Sequence, residues 1–447
     1  MRDVPMTCLI IGGNAAGMSA AARLKRKQPD MQVMVLERTD EVSYGACGMP
    51  YYIAGFNDVL DRMRIRKPQA FQEQGIELYR NALATKIDLE KQCVVWMDQM
   101  GKQNEQHYDQ LVLAMGASPI VPPIENVTLE NVFTLKTLYD AERIKACLVD
   151  ETIRTVAIVG GGYIGLELAE ACLHRGKTLH IFESLPNLLN TFDPEFGEAA
   201  AATLQAAGAQ VHLNQRVSAL VGEKRVIGLM ANQVQYQVDA VILAVGVRPN
   251  TELASEVAFA KLKNGALVVD AYMHTTVPGV YAAGDCGTVI HKLTGKPAYL
   301  PLGTNANRQG RYAADVILGR DTEGYRALGT SMLRCMKLEL ARTGLREQEA
   351  LEAGYDAHSI TVQANSHARY YPNPVSLTLK LCYERTTKRL LGGQIMGTGE
   401  AAWRIDILAC AIDCGMTAAQ LGRLDLGYAP PFSSVWDAVQ IAANAIK

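Results

Sequence analysis

Thr155-Val156-Ala157-Ile158-Val159 runs straight into Gly160-Gly161-Gly162-Tyr163-Ile164-Gly165 and then Leu166-Glu167-Leu168-Ala169-Glu170-Ala171. Five apolar or β-branched residues predict a buried strand, and the segment beyond the glycines predicts a helix. Glycines at 160, 162 and 165 give the GxGxxG spacing in the strand-to-helix context it requires. Such a turn lets the backbone approach a pyrophosphate while the free N–H groups of the helix start face its charge. Thr178-Leu179-His180-Ile181-Phe182 predicts the returning strand, and Glu183 follows it 18 residues after Gly165, where a carboxylate meets ribose hydroxyls.

The same pattern stands earlier in the chain. Cys8-Leu9-Ile10-Ile11 leads into Gly12-Gly13-Asn14-Ala15-Ala16-Gly17, a small-residue helix begins at Met18, and Val33-Met34-Val35-Leu36 ends at Glu37, 20 residues after Gly17. Here Asn14 replaces the middle glycine, and Asn also tolerates left-handed turns for structural reasons alone. One chain is therefore expected to hold two dinucleotides. Glu183 accepts hydrogen bonds from a free 2′-hydroxyl and repels a 2′-phosphate. Ser184-Leu185-Pro186 follows it without an Arg, so NADH is expected over NADPH. After about residue 326 the glycine turns stop, and strand-like Ser376–Leu381 alternates with helix-like stretches at 405–414 and 434–446, an α+β pattern.

At 447 residues the chain is long enough for about three domains. Hydrophobic residues make up 49%, and 44 basic against 46 acidic residues leave a net charge of −2, which gives no long-range pull on nucleic acid or anionic lipid. Ten cysteines without a CxxC pair suit a reducing cytoplasm and not a disulfide scaffold or a metal site. The start is too short in apolar residues for a secretory signal, and no apolar run approaches the 18 or so residues of a membrane span.

Among the cysteines, Cys47 stands out in Val42-Ser43-Tyr44-Gly45-Ala46-Cys47-Gly48-Met49-Pro50. Flanked by small residues where a helix could begin, its thiolate could be held by the helix N-terminus and react near neutral pH. An ordinary buried thiol is the alternative, and the other nine, including Cys410 and Cys414 at i and i+4 of an apolar helix, are expected in the core.

Together these residues resemble the FAD-dependent pyridine nucleotide-disulfide oxidoreductases over essentially the whole chain. Tyr108–Ala117, with Ala114-Met115-Gly116 where the family writes ATG, resembles the stretch between nucleotide domains, and Asp239–Asn250 the end of the NAD domain. Thr276–Asp285 resembles the second FAD motif. The resemblance implies an α/β chain with two Rossmann-like dinucleotide-binding domains and a C-terminal α+β dimerisation domain. FAD would lie in 1–150 and 251–325, NAD(P)H in 151–250, and the subunit interface in 326–447. It implies cofactor contacts at Gly12, Ala15, Ala16, Gly17, Glu37, Arg38, Ala114, Gly116 and Asp285, and at Gly160, Gly162, Tyr163, Ile164, Gly165, Glu167, Glu183 and Gly246. Tyr163 would cover the flavin until NADH displaces it, and Glu167 would sit near flavin and nicotinamide.

Val42 stands five residues before Cys47, so the second cysteine of the glutathione-reductase kind is missing. A single redox Cys is similar to the branch holding coenzyme A-disulfide reductases, persulfide reductases, NADH peroxidases and NADH oxidases. Ala15 occupies the place of the His of peroxidases and water-forming oxidases, and Cys47-Gly48-Met49-Pro50-Tyr51 resembles the CoA-disulfide and persulfide reductases. The implied enzyme is an NADH-dependent reductase of a low-molecular-weight disulfide or persulfide, through a mixed disulfide between Cys47 and a thiol such as coenzyme A. Ser366–Pro372 and Leu426–Ser433 resemble segments by which the partner subunit completes this site in a homodimer, with Tyr370 and Tyr428 as hydroxyl donors. Arg23, Arg26, Ser43 and Tyr371 are the implied substrate contacts. A basic residue that the family carries after the redox Cys has no match in Phe71–Gly75, where the run Arg62–Lys67 could stand in. No rhodanese-like extension follows Lys447, so a sulfur relay is expected to need a separate partner. The alternatives are an NADH oxidase cycling Cys47 through sulfenic acid, and an electron-carrier flavoprotein docking a protein on Arg62–Lys67.

Overall fold

The structure, a computed structural model, describes residues 6–255, 257–320 and 323–447. Met1–Pro5, part of the chain's start considered above, lie outside the described residues. Apolar runs without alternation suit strands covered on both faces, and such strands pair in parallel. Thr7–Ile11 and Thr155–Val159 are buried at every position after their first, and each stands in the middle of a five-stranded sheet. The first sheet runs in space Val280–Ala282, Gln110–Leu113, Thr7–Ile11, Gln32–Glu37, Ile76–Arg80, parallel throughout. The second runs Val132–Thr134, Ala240–Leu243, Thr155–Val159, Thr178–Phe182, Gln210–His212, again parallel throughout.

Val132–Thr134 and the helix Leu138–Val149 pack with the second sheet, which corrects the expectation that chain up to residue 150 belongs to the first unit. A three-residue edge strand carries no glycine signature to mark which sheet it will join. The small residues after the first turn also find their reason. The helices Ala15–Lys27 and Gly303–Ile317 approach so closely that a Cβ on Gly310 would fall 2.1 Å from the Ala16 carbonyl oxygen.

The C-terminal region is α+β, as its pattern predicts. Ser331–Cys335, Leu338–Gly344, Leu390–Thr398, Ser376–Glu384 and Ala357–Asn365 form an antiparallel sheet. The helices Ile405–Asp413 and Ala438–Asn444 share its core. Cys410 and Cys414 are exposed, against expectation, because this helix buries the stripe Ile405, Leu408, Ala411 and Ile412 and turns its other side outward. Of the remaining cysteines, six are buried, Cys147 is half-buried, and Cys47 is open. No helix among the described residues is long and apolar enough to cross a membrane.

Candidate active site

The two glycine turns have the same backbone. Gly12 and Gly160 both take a φ of +112°, where an L side chain is strained. A Cβ would lie 2.1 Å from the Ala114 carbonyl oxygen at Gly12 and 2.4 Å from that of Ala244 at Gly160. Gly17 and Gly165 are needed for another reason: a Cβ there would meet the carbonyl oxygens of Gly12 and Gly160 at 1.8 and 2.1 Å, so helix and strand could not close. Gly162 has no atom within 4 Å of a would-be Cβ, which leaves open ground for phosphate at the start of the helix Tyr163–His174. The acids at the strand ends do something the spacing alone did not show. Glu37 accepts the Gly13 N–H, and Glu183 that of Gly161, each at 2.7 Å, so each carboxylate braces its own turn.

Both turns open on one cleft of about 3060 Å³, against about 300–1,000 Å³ for a typical small-ligand pocket. Gly12, Ala15, Ala16, Glu37, Arg38, Ala114, Gly116 and Asp285 line it from the first unit. Gly160, Gly162, Tyr163, Ile164, Glu167, Glu183 and Gly246 line it from the second. Gly17 and Gly165 stand behind the wall and shape it. The volume, the two cradles and the paired acids fit two dinucleotides. The Tyr163 hydroxyl is hydrogen-bonded to the Ser331 hydroxyl at 2.7 Å.

Cys47 sits on a single turn, Ala46–Gly48, that leads into the six-residue helix Met49–Ala54. Its sulfur opens on the cleft, 3.8 Å from where a Cβ on Gly303 would stand, at the first residue of the longer helix Gly303–Ile317. The walls of the cleft still desolvate it. Burial first, then the negative charges of Glu167 and Asp285, raise the Cys47 pKa, while a backbone hydrogen bond and Lys136 pull the other way. The expected lowering of its pKa by its own helix is thus overturned: that helix is short, and two carboxylates face the sulfur. Glu167 itself is pushed up to about 7, by burial and then by the charge of Glu170, so it holds or releases a proton near neutral pH.

Several contacts that join the site left no signal in the sequence. Lys136 lies 3.6 Å from Asp285 and faces the cleft, and the Tyr44 hydroxyl donates to the Lys136 carbonyl at 3.4 Å. Asn14 accepts the Tyr44 N–H at 3.1 Å, and the Ser43 N–H donates to the Gly13 carbonyl at 3.0 Å. The first glycine turn and the Cys47 loop are therefore tied directly. Only the pairing of distant segments brings these residues together.

Other residues singled out above lie elsewhere. Arg23, Arg26 and Ser43 are outside the cleft lining, and both Nε and an Nη of Arg23 donate to Asp315 at 2.8–2.9 Å. Ser43 contributes a positive φ of 49°. In the Arg62–Lys67 run, Arg64 is paired with Glu41 and Asp61, Lys67 with Asp61, and Arg66 stacks over Phe71, so most of its charge is used within the chain. Tyr370 and Tyr428 are exposed, hydroxyl bonded to hydroxyl, outside the cleft of their own chain. Tyr371 stands edge-on to His367.

The sequence matches the pyridine nucleotide-disulphide oxidoreductase model over residues 6–310 and that family's dimerisation domain over 332–439. A Pyrococcus horikoshii NAD(P)H coenzyme A polysulfide/persulfide reductase is 36% identical over 445 residues, covering 98% of each chain. A Methanocaldococcus jannaschii NADH oxidase is 34% identical over 448 residues, covering 99% of each. The solved NAD-dependent persulfide reductase of A. fulgidus superposes with a TM-score of 0.94 at 35% identity, over 98% of this chain and 83% of that one. With both family models matched and relatives similar from end to end, the chain belongs to the pyridine nucleotide-disulphide oxidoreductases, flavoenzymes that work with FAD and NAD(P)H.

Proposed function

We propose that this chain reduces coenzyme A-linked disulfide or persulfide sulfur, with Cys47 as the attacking thiol. The carrying observation is the place of the Cys47 sulfur, open on the cleft that both dinucleotide turns line, with Glu167 from the second unit and Asp285 from the first facing it. FAD would lie along the first turn with Asp285, and NAD(P)H along the second with Tyr163 and Glu167. The Cys47 thiolate attacks the R-bearing sulfur of R–S–S–R′, where R is the coenzyme A carrier and R′ is H in a persulfide, so the S–S bond breaks, Cys47–S–S–R forms, and R′–S⁻ leaves and takes a proton. Bound FAD and NAD(P)H supply the electron pair that returns the mixed disulfide to two thiols. A raised thiol pKa keeps Cys47 protonated when idle, and a neighbouring carboxyl that titrates near 7 is suited to taking that proton up. Tyr370 and Tyr428 cannot serve the Cys47 of their own cleft, so they belong to a site completed by a second copy, with Tyr371 beside them. Arg23, Arg26 and Ser43 would contact coenzyme A on the outer side of the first helix. The ten unpaired cysteines fit work in the cytoplasm.

Cys47→Ser tests this reading. It should keep FAD and NADH binding and lose reduction of coenzyme A disulfide, and undiminished turnover would end the proposal. Mass spectrometry of the untreated protein should show a coenzyme A adduct on Cys47. The NADH oxidase among the relatives gives weight to oxygen as acceptor; oxygen uptake with NADH alone, matching disulfide turnover and lost in Cys47→Ser, would favour it.

A further inference from the structure

Glu183 alone argues for NADH, but the neighbouring strand brings a second charged group to the same edge. Thr178–Phe182 and Gln210–His212 run in parallel, with Phe182 opposite His212, so both strands exit at the carboxyl edge where dinucleotides bind. Beyond that edge the two exits are joined. The Gln215 N–H donates to the Glu183 carbonyl at 2.9 Å and the Asn214 N–H to the Leu185 carbonyl at 3.1 Å. Asn232 fixes the same loop from behind, accepting the Arg216 N–H at 3.1 Å and donating to the Asn214 carbonyl at 2.8 Å. Glu183, Ser184, Gln215 and Arg216 thus line one end of the cleft together.

The two charges in this strip are in different states. Glu183 is only 8% exposed, and its oxygens accept the Gly161 N–H at 2.7 Å, the Leu185 N–H at 2.9 Å and the Ser184 hydroxyl at 3.3 Å. Its negative charge is turned inward and largely answered by donors of the glycine turn and of its own loop. Arg216 is exposed, and its guanidinium makes no hydrogen bond or ion pair among the described residues. A guanidinium offers five donors in a plane, a geometry that matches a phosphate.

We propose that Arg216 is the residue that receives the 2′-phosphate when the dinucleotide is NADPH, offsetting the acid at Glu183. This rests on the second unit holding the nicotinamide dinucleotide. The ribose 2′ position of such a ligand lies over the end of the second strand of its unit, within the strip that Arg216 borders.

Calorimetric titration of the FAD-loaded protein with 2′,5′-ADP and with 5′-AMP separates the possibilities, because only the first carries the 2′-phosphate. Arg216→Ala should weaken 2′,5′-ADP at least tenfold and 5′-AMP less than twofold, with Arg216→Lys in between. Raising the salt from 50 to 300 mM should weaken 2′,5′-ADP in the unaltered protein and much less in Arg216→Ala. In turnover, KM for NADPH should rise in Arg216→Ala while KM for NADH stays. An equal loss for both nucleotides would make Arg216 a structural prop of the loop and overturn the proposal, as would unchanged 2′,5′-ADP binding. If the unaltered protein bound 5′-AMP but not 2′,5′-ADP, the role of Arg216 would fall alone. If it bound neither, the assignment of the second unit would fall with it.

Discussion

At Gly12 and at Gly160 the chain turns through the same φ, and one residue on, each turn donates an N–H to the acid that ends its second strand. Two residues on, the turns part. Asn14 sends its side chain to the Tyr44 N–H of the Cys47 loop, whereas Gly162 faces empty space. Farther along the helices, Ala15 and Ser19 of the first unit correspond to Tyr163 and Glu167 of the second. One turn is thus built into the Cys47 loop and left bare of reactive groups, and the other is left open and carries the aromatic ring and the acid that face the cleft. The duplication reuses a backbone; the chemistry lies in the positions where the copies differ.

The largest effect comes from attacking what the copies share. A residue forced into a left-handed conformation reserved for glycine costs about 1–3 kcal/mol even without a clash. Here a clash is added, at 2.1 Å in one turn and 2.4 Å in the other. Gly12→Ala is therefore expected to yield protein that does not retain FAD, read from its visible absorbance. Gly160→Ala should retain FAD and lose tight NADH binding. Loss of FAD in both variants would show that the two turns are not independent sites.

The shared features were legible because they are local. A glycine at 12, 17, 160 or 165 is dictated by carbonyl oxygens a few residues away in the chain or on the adjoining strand, so the spacing carries the geometry with it. The surroundings of Cys47 were not legible. Glu167, Asp285, Lys136 and Gly303 reach the sulfur from four separate segments, and burial plus two carboxylates outweighs the short helix that its own sequence suggested. Arg216 was hidden for a related reason: it stands 33 residues from Glu183 in the chain and reaches the same end of the cleft from beyond the neighbouring strand of the sheet. Cys410 and Cys414 show the limit of a simple period, since i and i+4 share a helix face without saying which face is buried.

A second, smaller effect tests the acid that only the second copy carries. The Glu167 carboxyl keeps its proton up to about 7 in the folded chain, against an ordinary 4.5 when unfolded. Between those values the folded state binds more protons than the unfolded state, so this group's contribution to stability falls as pH rises through that window. At full burial the gap corresponds to roughly 3 kcal/mol. Glu167 is partly open to the cleft, which brings the expected size to about 1–2 kcal/mol. Glu167→Gln does not titrate, so it should gain that much stability over the unaltered protein at pH 8 relative to pH 5. Ser19→Ala, at the matching place in the first unit, should show no such pH dependence. Denaturant midpoints at the two pH values decide it, and a gain for Glu167→Gln that is the same at both would refute the raised pKa.

The smallest effects come from exchanging the middle residues of the two turns. Gly162 has a φ of −83°, which any residue can adopt, and no neighbour within 4 Å. Gly162→Asn should therefore leave thermal stability unchanged while its side chain occupies phosphate ground, raising KM for NADH several-fold. Asn14→Gly restores the GxGxxG spacing to the first turn and should gain nothing from it. Although Asn14 stands at the N-cap of Ala15–Lys27, its side chain makes no capping bond; the bond it makes is to Tyr44, 3.1 Å away. Losing that bond is expected to cost about 1 kcal/mol. FAD content should hold, because the Gly12 backbone is untouched, and disulfide turnover should fall several-fold, because, of the two hydrogen bonds that tie the Cys47 loop to the first turn among the described residues, the Ser43 N–H bond to Gly13 alone is left. If FAD affinity dropped and turnover per bound FAD did not, Asn14 would be a cofactor contact, and the tie between the first turn and the Cys47 loop would carry no function.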